Sequence, residues 1–386
     1  MKIIIINNLY APWIRGGAER VVEKTVVGLE KAGHEVFVIA TAPKESRTDK
    51  VFYLPSIFYY LEKYPLWRRF FWHLWDMINF INRVEIKKIL QEKKPDLVIT
   101  HNLQGIGLLV PGLLRKMKIK HFHTLHDIQL LHPSGLMIWG KEKIVETFPA
   151  RVYQKIIRWL FGSPAAIISP SQWLLDEHAK RGFFTGSTKK VLPNFFPDQR
   201  SFSQKKNETR NMEHEFLYVG QLEPHKGVEF LVETFLKFSD ERNFKAGLTI
   251  VGSGSRLEEI KKIVGDNKKI KILGRKNPGE IEELMLNADC LIVPSLCYEN
   301  SPTVIYEAIA AQLPVIASRI GGITELMAAA GGLLIEPGNQ EELLKQLKLI
   351  FTQPTESDRI REQEAAYQPL DYITEVTALA ADNTKY

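Results

Sequence analysis

Short runs rich in Ile, Val and Leu, many of them bounded by Gly, Pro or Asn, alternate along this chain with longer stretches whose apolar residues recur at helical spacing. That alternation limits the fold more than any other feature. Such runs read as strands buried on both faces, and strand–helix alternation builds βαβ units around a parallel sheet. The predicted strands of the first half are 2–7, 35–41, 51–54, 96–101, 118–125 and 165–169. Those of the second half are 216–219, 248–251, 269–273, 290–293, 314–317 and 332–335. Residues 19–32 and 256–264 carry clear helical patterns between them.

The pattern occurs twice, and 386 residues exceed the size at which one core usually gives way to two, about 250–300. Between the two runs, 194–214 is polar and charged without apolar periodicity, so it reads as the connection. The expected architecture is α/β: two doubly wound, Rossmann-like domains, 1–195 and 215–355, facing across a cleft. A last segment, 356–386, is expected to cross back to the first domain. Open parallel sheets bind ligands beyond the carboxyl ends of their strands, so the loops there hold the candidate site.

Composition narrows the class. Cys290 and Cys297 are the only cysteines, which excludes a disulfide framework and a CxxC zinc site and favours a cytoplasmic setting. The apolar run 3–6 stops at Asn7-Asn8, too short for a signal peptide. No run approaches the roughly 18 apolar residues of a membrane span. The net charge of +6 suits phosphorylated substrates or an anionic membrane surface. Without a zinc finger, an RNP-like strand or a basic stripe, nucleic acid is not an expected partner.

Several loops carry the candidate chemistry. Gly16-Gly17-Ala18-Glu19-Arg20 opens a helix after the first strand, either to let backbone N–H groups approach an anion or as a tight connection. Gly252-Ser253-Gly254 follows a strand but lacks the third glycine of a dinucleotide fingerprint, so a structural turn is favoured. Gly220-Gln221-Leu222-Glu223-Pro224-His225-Lys226-Gly227 lies between a strand and a helix, where Lys226 can reach a phosphate. In the segment from Tyr298 through Glu299, Asn300, Ser301 and Pro302 to Glu307, proline suits a first helical turn. Residues 301–304 then present free N–H groups to a diphosphate, and the two glutamates face hydroxyls. His121 and His123 share a strand face, and His126-Asp127 falls at the strand end. A ligand-contacting histidine fits there better than a metal cluster.

Together and in this order, these segments resemble family 4 of the retaining glycosyltransferases, with the GT-B fold of two facing Rossmann-like domains. The resemblance takes in the first-loop glycines, Gly33-His34-Glu35-Val36, Thr124-Leu125-His126-Asp127 and Ser169-Pro170-Ser171. It continues through the 220–227 loop, the E-x7-E pair Glu299 and Glu307, and Gly321-Gly322-Ile323-Thr324-Glu325-Leu326. It implies that Lys226 neutralises a donor diphosphate bound by the amides of Asn300, Ser301, Thr303 and Val304. It further implies that Glu307 holds a ribose, that Glu299 and His126 contact the transferred sugar, that Gly16 and Gly17 close over the phosphates, and that Gly274 and Arg275 border the base. Gln221 stands where many members carry arginine, so the phosphate charge falls on Lys226 or is borrowed from Arg15 or Arg20. No DxD site is present, so catalysis without metal or cofactor is expected.

The segment 56–81 is unusually aromatic. Trp67, Phe71, Leu74, Ile78 and Ile81 form one helical stripe, with Trp72 and Trp75 on the opposite face. This is either an interfacial membrane helix or one packed on the first core; 153–161 is a second candidate. The membrane reading implies a lipid-linked saccharide acceptor of envelope polysaccharide synthesis. The alternatives are a non-catalytic nucleotide-sugar or glycan-binding relative, a nicotinamide oxidoreductase, which would need the fingerprint that 252–254 lacks, and a GT-B epimerase acting on nucleotide sugars, which fits Lys226 and the E-x7-E pair less well.

Overall fold

The run Ile3–Ile6 is fully buried, and it forms the middle of a parallel sheet, β1 (Lys2–Ile6). The computed structural model describes residues 1–194, 214–240, 245–352 and 371–382. Beside β1 lie β2 (Glu35–Ala42) and β5 (Leu97–Thr100). The remaining strands are β3 (Ser46–Arg47), β4 (Val51–Pro55), β6 (Lys120–Thr124), β7 (Ala166–Ser169) and β8 (Thr188–Val191). Their order is β3-β4-β2-β1-β5-β6-β7-β8, parallel except at β3. The expected strands are all present. Two edge strands carried too little apolar signal to be read: β3 has two residues, and Thr188–Val191 is half lysine, as suits an exposed sheet margin.

The second sheet is parallel throughout: β9 (His214–Val219), β10 (Ala246–Val251), β11 (Ile270–Ile272), β12 (Cys290–Val293), β13 (Val315–Ser318) and β14 (Leu333–Ile335). Its order is β11-β10-β9-β12-β13-β14. Each sheet therefore has one place where the winding reverses: between β1 and β5 in the first, and between β9 and β12 in the second. Loops diverge at such points and leave a crevice.

The chain divides into two compact units. Among described residues, the first takes 1–135, 143–194 and 371–382, and the second takes 136–142, 214–240 and 245–352. Residues 136–142 group with the second unit although they lie within the expected first domain. The helix Tyr372–Ala381 packs Tyr372, Val376 and Ala380 into the first core beside Val22, Val26 and Leu29 of α1 (Gly17–Lys31). Lys120 caps it, donating to the carbonyls of Ala380 and Asp382 at 2.7 and 2.8 Å, where a cation opposes the helix dipole. The predicted connection, apart from residues 194 and 214, and 356–370 and 383–386 of the last segment lie outside the described residues.

The aromatic segment is not one helix. It forms α2 (Leu66–Met77) and α3 (Phe80–Lys93) after a short 3-10 turn. Of the two readings, packing on the first core does not hold for the stripe: Trp67, Phe71, Leu74, Ile78 and Ile81 are all exposed. Trp72 turns inward and stacks on Phe58 at 5.9 Å.

Candidate functional site

In the second unit the site grows from the two loops at the β9/β12 reversal. After β9, Pro224–Lys226 makes one 3-10 turn, closed by Gly227 in the left-handed region (φ 71°). A Cβ at Gly227 would lie 2.0 Å from the Pro294 carbonyl oxygen, so only glycine lets this loop press onto the loop after β12. The Leu296 amide donates to the His225 carbonyl at 2.9 Å and joins the two loops.

Across this junction the Lys226 ammonium donates to Glu299 Oε1 at 2.5 Å, and the Ser295 hydroxyl donates to the same oxygen at 2.8 Å. Burial disfavours the Glu299 carboxylate. The Lys226 charge and the two hydrogen bonds outweigh it and hold the carboxyl below its ordinary range. Burial likewise opposes the Lys226 charge, and Glu299 holds the ammonium above its ordinary range. Both groups stay charged, locked to each other in the free protein.

Three further contacts fix the Glu299 loop. The Gly322 amide donates to the Glu299 carbonyl at 2.9 Å. Gly321 (φ 56°) allows that approach, because a Cβ there would lie 2.4 Å from the same oxygen. Residues 136–142 run antiparallel to 296–298: Trp139 N donates to Leu296 O at 3.0 Å, and Tyr298 N to Met137 O at 2.8 Å. The Tyr298 hydroxyl also donates to Glu142 at 3.1 Å.

Helix α10 (Thr303–Ala310) begins immediately after Pro302. The Thr303 and Val304 amides belong to its first turn and have no acceptor within the helix; with the helix dipole they form a site for an anion. Ser301 Oγ and the Tyr306 hydroxyl bond at 2.7 Å and close the turn. Asn300 is buried, and Glu307 stands half-buried on the second turn.

The other candidates border this centre. The Tyr218 hydroxyl donates to the Gln221 carbonyl at 2.7 Å, which leaves the Gln221 side chain exposed. The Gly252 amide donates to Gly274 O at 2.9 Å. Arg275 is exposed beside it. A Cβ at Gly252 would lie 1.8 Å from Gly220 O, and one at Gly254 would lie 2.3 Å from Leu222 O. Those two glycines serve close backbone packing, in line with the structural-turn reading.

In the first unit, Gly16 caps α1, and its amide donates to Glu19 Oε2 at 2.9 Å. Gly17 is the first helical residue. Arg15 turns away onto Tyr59, whose carbonyl accepts from its guanidinium. His121 Nε2 and His123 Nδ1 both bond Thr100 Oγ1, at 2.7 and 2.8 Å, so they do share a face. Their rings are engaged there, and among the described residues no group of three or more His, Cys, Asp or Glu is placed to hold a metal ion. His126 is half-buried and stacks on His101, with His101 Nδ1 and His126 Nε2 2.8 Å apart. Burial pulls the His126 imidazole down to about 4 and pushes the Asp127 carboxyl up to about 6.

Ser295, the 136–142 insertion and His101 escaped the sequence reading. His101 alone had a signal, a histidine closing a predicted strand.

Comparison with known proteins matches the two halves of the chain to two family descriptions. Residues 15–200 match "Glycosyltransferase Family 4" and residues 199–367 match "Glycosyl transferases group 1". An uncharacterized 42.6 kDa protein of the cps region of Klebsiella pneumoniae is 28% identical over 342 residues, 84% of this chain and 87% of that one. A putative teichuronic acid biosynthesis glycosyltransferase of Bacillus subtilis is 25% identical over 371 residues, 90% and 88% of the two chains. Among solved structures, Anabaena HepE in complex with UDP-glucose superposes with a TM-score of 0.69 at 19% identity, covering 98% of each chain.

Proposed function

Because the chain belongs to the group 1, family 4-like glycosyltransferases and has their GT-B fold, we propose that it is a retaining hexosyltransferase. Its donor is a nucleotide sugar, and its acceptor is a lipid-linked saccharide of envelope or extracellular polysaccharide synthesis. The polysaccharide context rests on the relatives, above all the putative teichuronic acid biosynthesis glycosyltransferase, beside the protein of the cps region.

One observation carries the reading: Lys226 and Glu299 meet at the reversal point of the second sheet, on the loop that leads into the amino end of α10. Departure of a nucleoside diphosphate builds charge on a phosphate oxygen, and positive groups already aimed at that place lower the barrier. Lys226 and the Thr303 and Val304 amides supply them. Gln221 cannot, so the side-chain charge comes from Lys226. Glu307 takes the ribose hydroxyls, Gly274 and Arg275 border the base, and Gly16 and Gly17 close over the phosphates. Glu299 and His126 touch the transferring sugar, whose transition state is oxocarbenium-like. A donor phosphate oxygen deprotonates the acceptor on the face the leaving group vacates, which retains configuration without a metal.

No helix among the described residues is long and apolar enough to cross a membrane. The exposed stripe of α2 and the exposed Phe148 and Trp159 of α5 (Phe148–Phe161) instead suit peripheral contact at the cytoplasmic face. Arg68, Arg151 and Lys155 near them favour anionic lipid.

The test is thermal shift against UDP-, GDP-, dTDP- and ADP-sugars, with wild type and Glu307→Ala. One base class should stabilise the wild type and lose its effect in the variant. Absence of any shift would favour a protein without transferase activity.

A further inference from the structure

Two hydrogen bonds reach one oxygen of Glu299 and leave the other open. The Lys226 ammonium comes from the loop after β9 and the Ser295 hydroxyl from the loop after β12, and both donate to Oε1. Glu299 stays ionised, so its oxygens accept and do not donate, each at about two positions. Oε1 is therefore full. Among the described residues Oε2 takes no hydrogen bond, and the side chain is partly exposed. A hydroxyl brought to Glu299 meets Oε2.

The two donors respond differently to a diphosphate. Lys226 is a charge with three N–H groups, and phosphate oxygens compete with Glu299 for it. The Ser295 hydroxyl is neutral and buried, with Glu299 as its acceptor. A buried hydroxyl keeps the acceptor it has, because leaving it would strand the proton.

We propose that Ser295 is a positioning residue: it holds Glu299 Oε1 while Lys226 turns to the diphosphate, and so keeps Oε2 aimed at a hydroxyl of the transferring sugar. The inference rests on the readings of Lys226 as the phosphate charge and of Glu299 as a sugar contact. Its effect is confined to ligands that carry a sugar, since a nucleoside diphosphate alone makes no use of Oε2.

The test compares two affinities of the full-length protein by calorimetry. One is for whichever of the UDP-, GDP-, dTDP- and ADP-sugars stabilises the wild type, and the other is for the matching nucleoside diphosphate. Ser295→Ala should bind the sugar nucleotide about tenfold more weakly, the loss of one hydrogen bond to a charged group, and the nucleoside diphosphate within about twofold of wild type. Equal weakening of both ligands would mean that Ser295 merely supports the loop before α10, and it overturns the positioning role. In Glu299→Ala the sugar nucleotide should lose affinity relative to the diphosphate. That result beside an unaffected Ser295→Ala sinks the inference alone. An unchanged ratio in Glu299→Ala, or no binding of any sugar nucleotide by the wild type, sinks the sugar contact and the inference with it.

Discussion

Replacing Lys226 by Met isolates the central ion pair. The substitution keeps most of the unbranched apolar stem and leaves Glu299 with the Ser295 hydroxyl at 2.8 Å as its remaining side-chain hydrogen bond among the described residues. Breaking a buried pair from one side costs about 3–5 kcal/mol, because a charge stays behind without a partner. Here the side chains keep 23% and 16% of their exposure, so water returns some of that cost and the lower end, about 3 kcal/mol, is expected. Adding Glu299→Gln removes the stranded charge and should recover about half, a coupling of about 1–3 kcal/mol. The single variant also carries a pH signature. Without the ammonium, burial raises the folded carboxyl above its unfolded value near 4.5. The stranded charge therefore costs most at pH 7, and the cost shrinks as pH falls toward 5 and Glu299 takes up a proton. Hydrogen exchange of the amides in α7 (Val228–Asp240) and β12 reads this locally. If the single and double variants exchange alike at pH 7, the pair is not a buried, coupled one, and the argument for Lys226 as the preset phosphate charge fails with it.

Other consequences are sharper still. Gly227→Ala drives a Cβ onto the Pro294 carbonyl at a left-handed position, so urea unfolding should show a loss above about 2 kcal/mol and donor binding should weaken along with it. His178 donates Nδ1–H to Leu174 O at 2.8 Å, and its buried Nε2 has no partner; burial lowers it from 6.5 to about 4. The unfolded imidazole takes its proton first, so acid favours unfolding, and the stability this residue contributes falls as pH drops from about 6.5 to 4. His178→Phe should lose about 2 kcal/mol less than wild type between pH 7 and 5, and parallel losses would contradict this. Trp67→Ser with Phe71→Ser should abolish flotation with anionic vesicles and leave the melting temperature within about 2 °C, since both side chains are exposed. Flotation equal to wild type would remove the membrane reading.

Strand positions and the α/β class were legible because a run such as Ile3–Ile6 or Cys290–Val293, buried on both faces, leaves a local mark. Lys226, Glu299 and the helix start after Pro302 could be named one by one for the same reason: loop, charge and capping chemistry are written within a few residues. Their meeting was not written there. Lys226 and Glu299 are 73 positions apart, and they touch because β12 pairs with β9 rather than with β11. His101 and His126, 25 positions apart, stack because β6 lies beside β5. The 136–142 insertion reaches the second unit through backbone hydrogen bonds, which no side-chain pattern announces. Periodicity likewise put Trp67, Phe71 and Leu74 on one face but could not say whether that face was covered. Spacing along the chain determines which residues share a surface; crossovers and strand order, which depend on contacts far apart in sequence, determine what that surface meets.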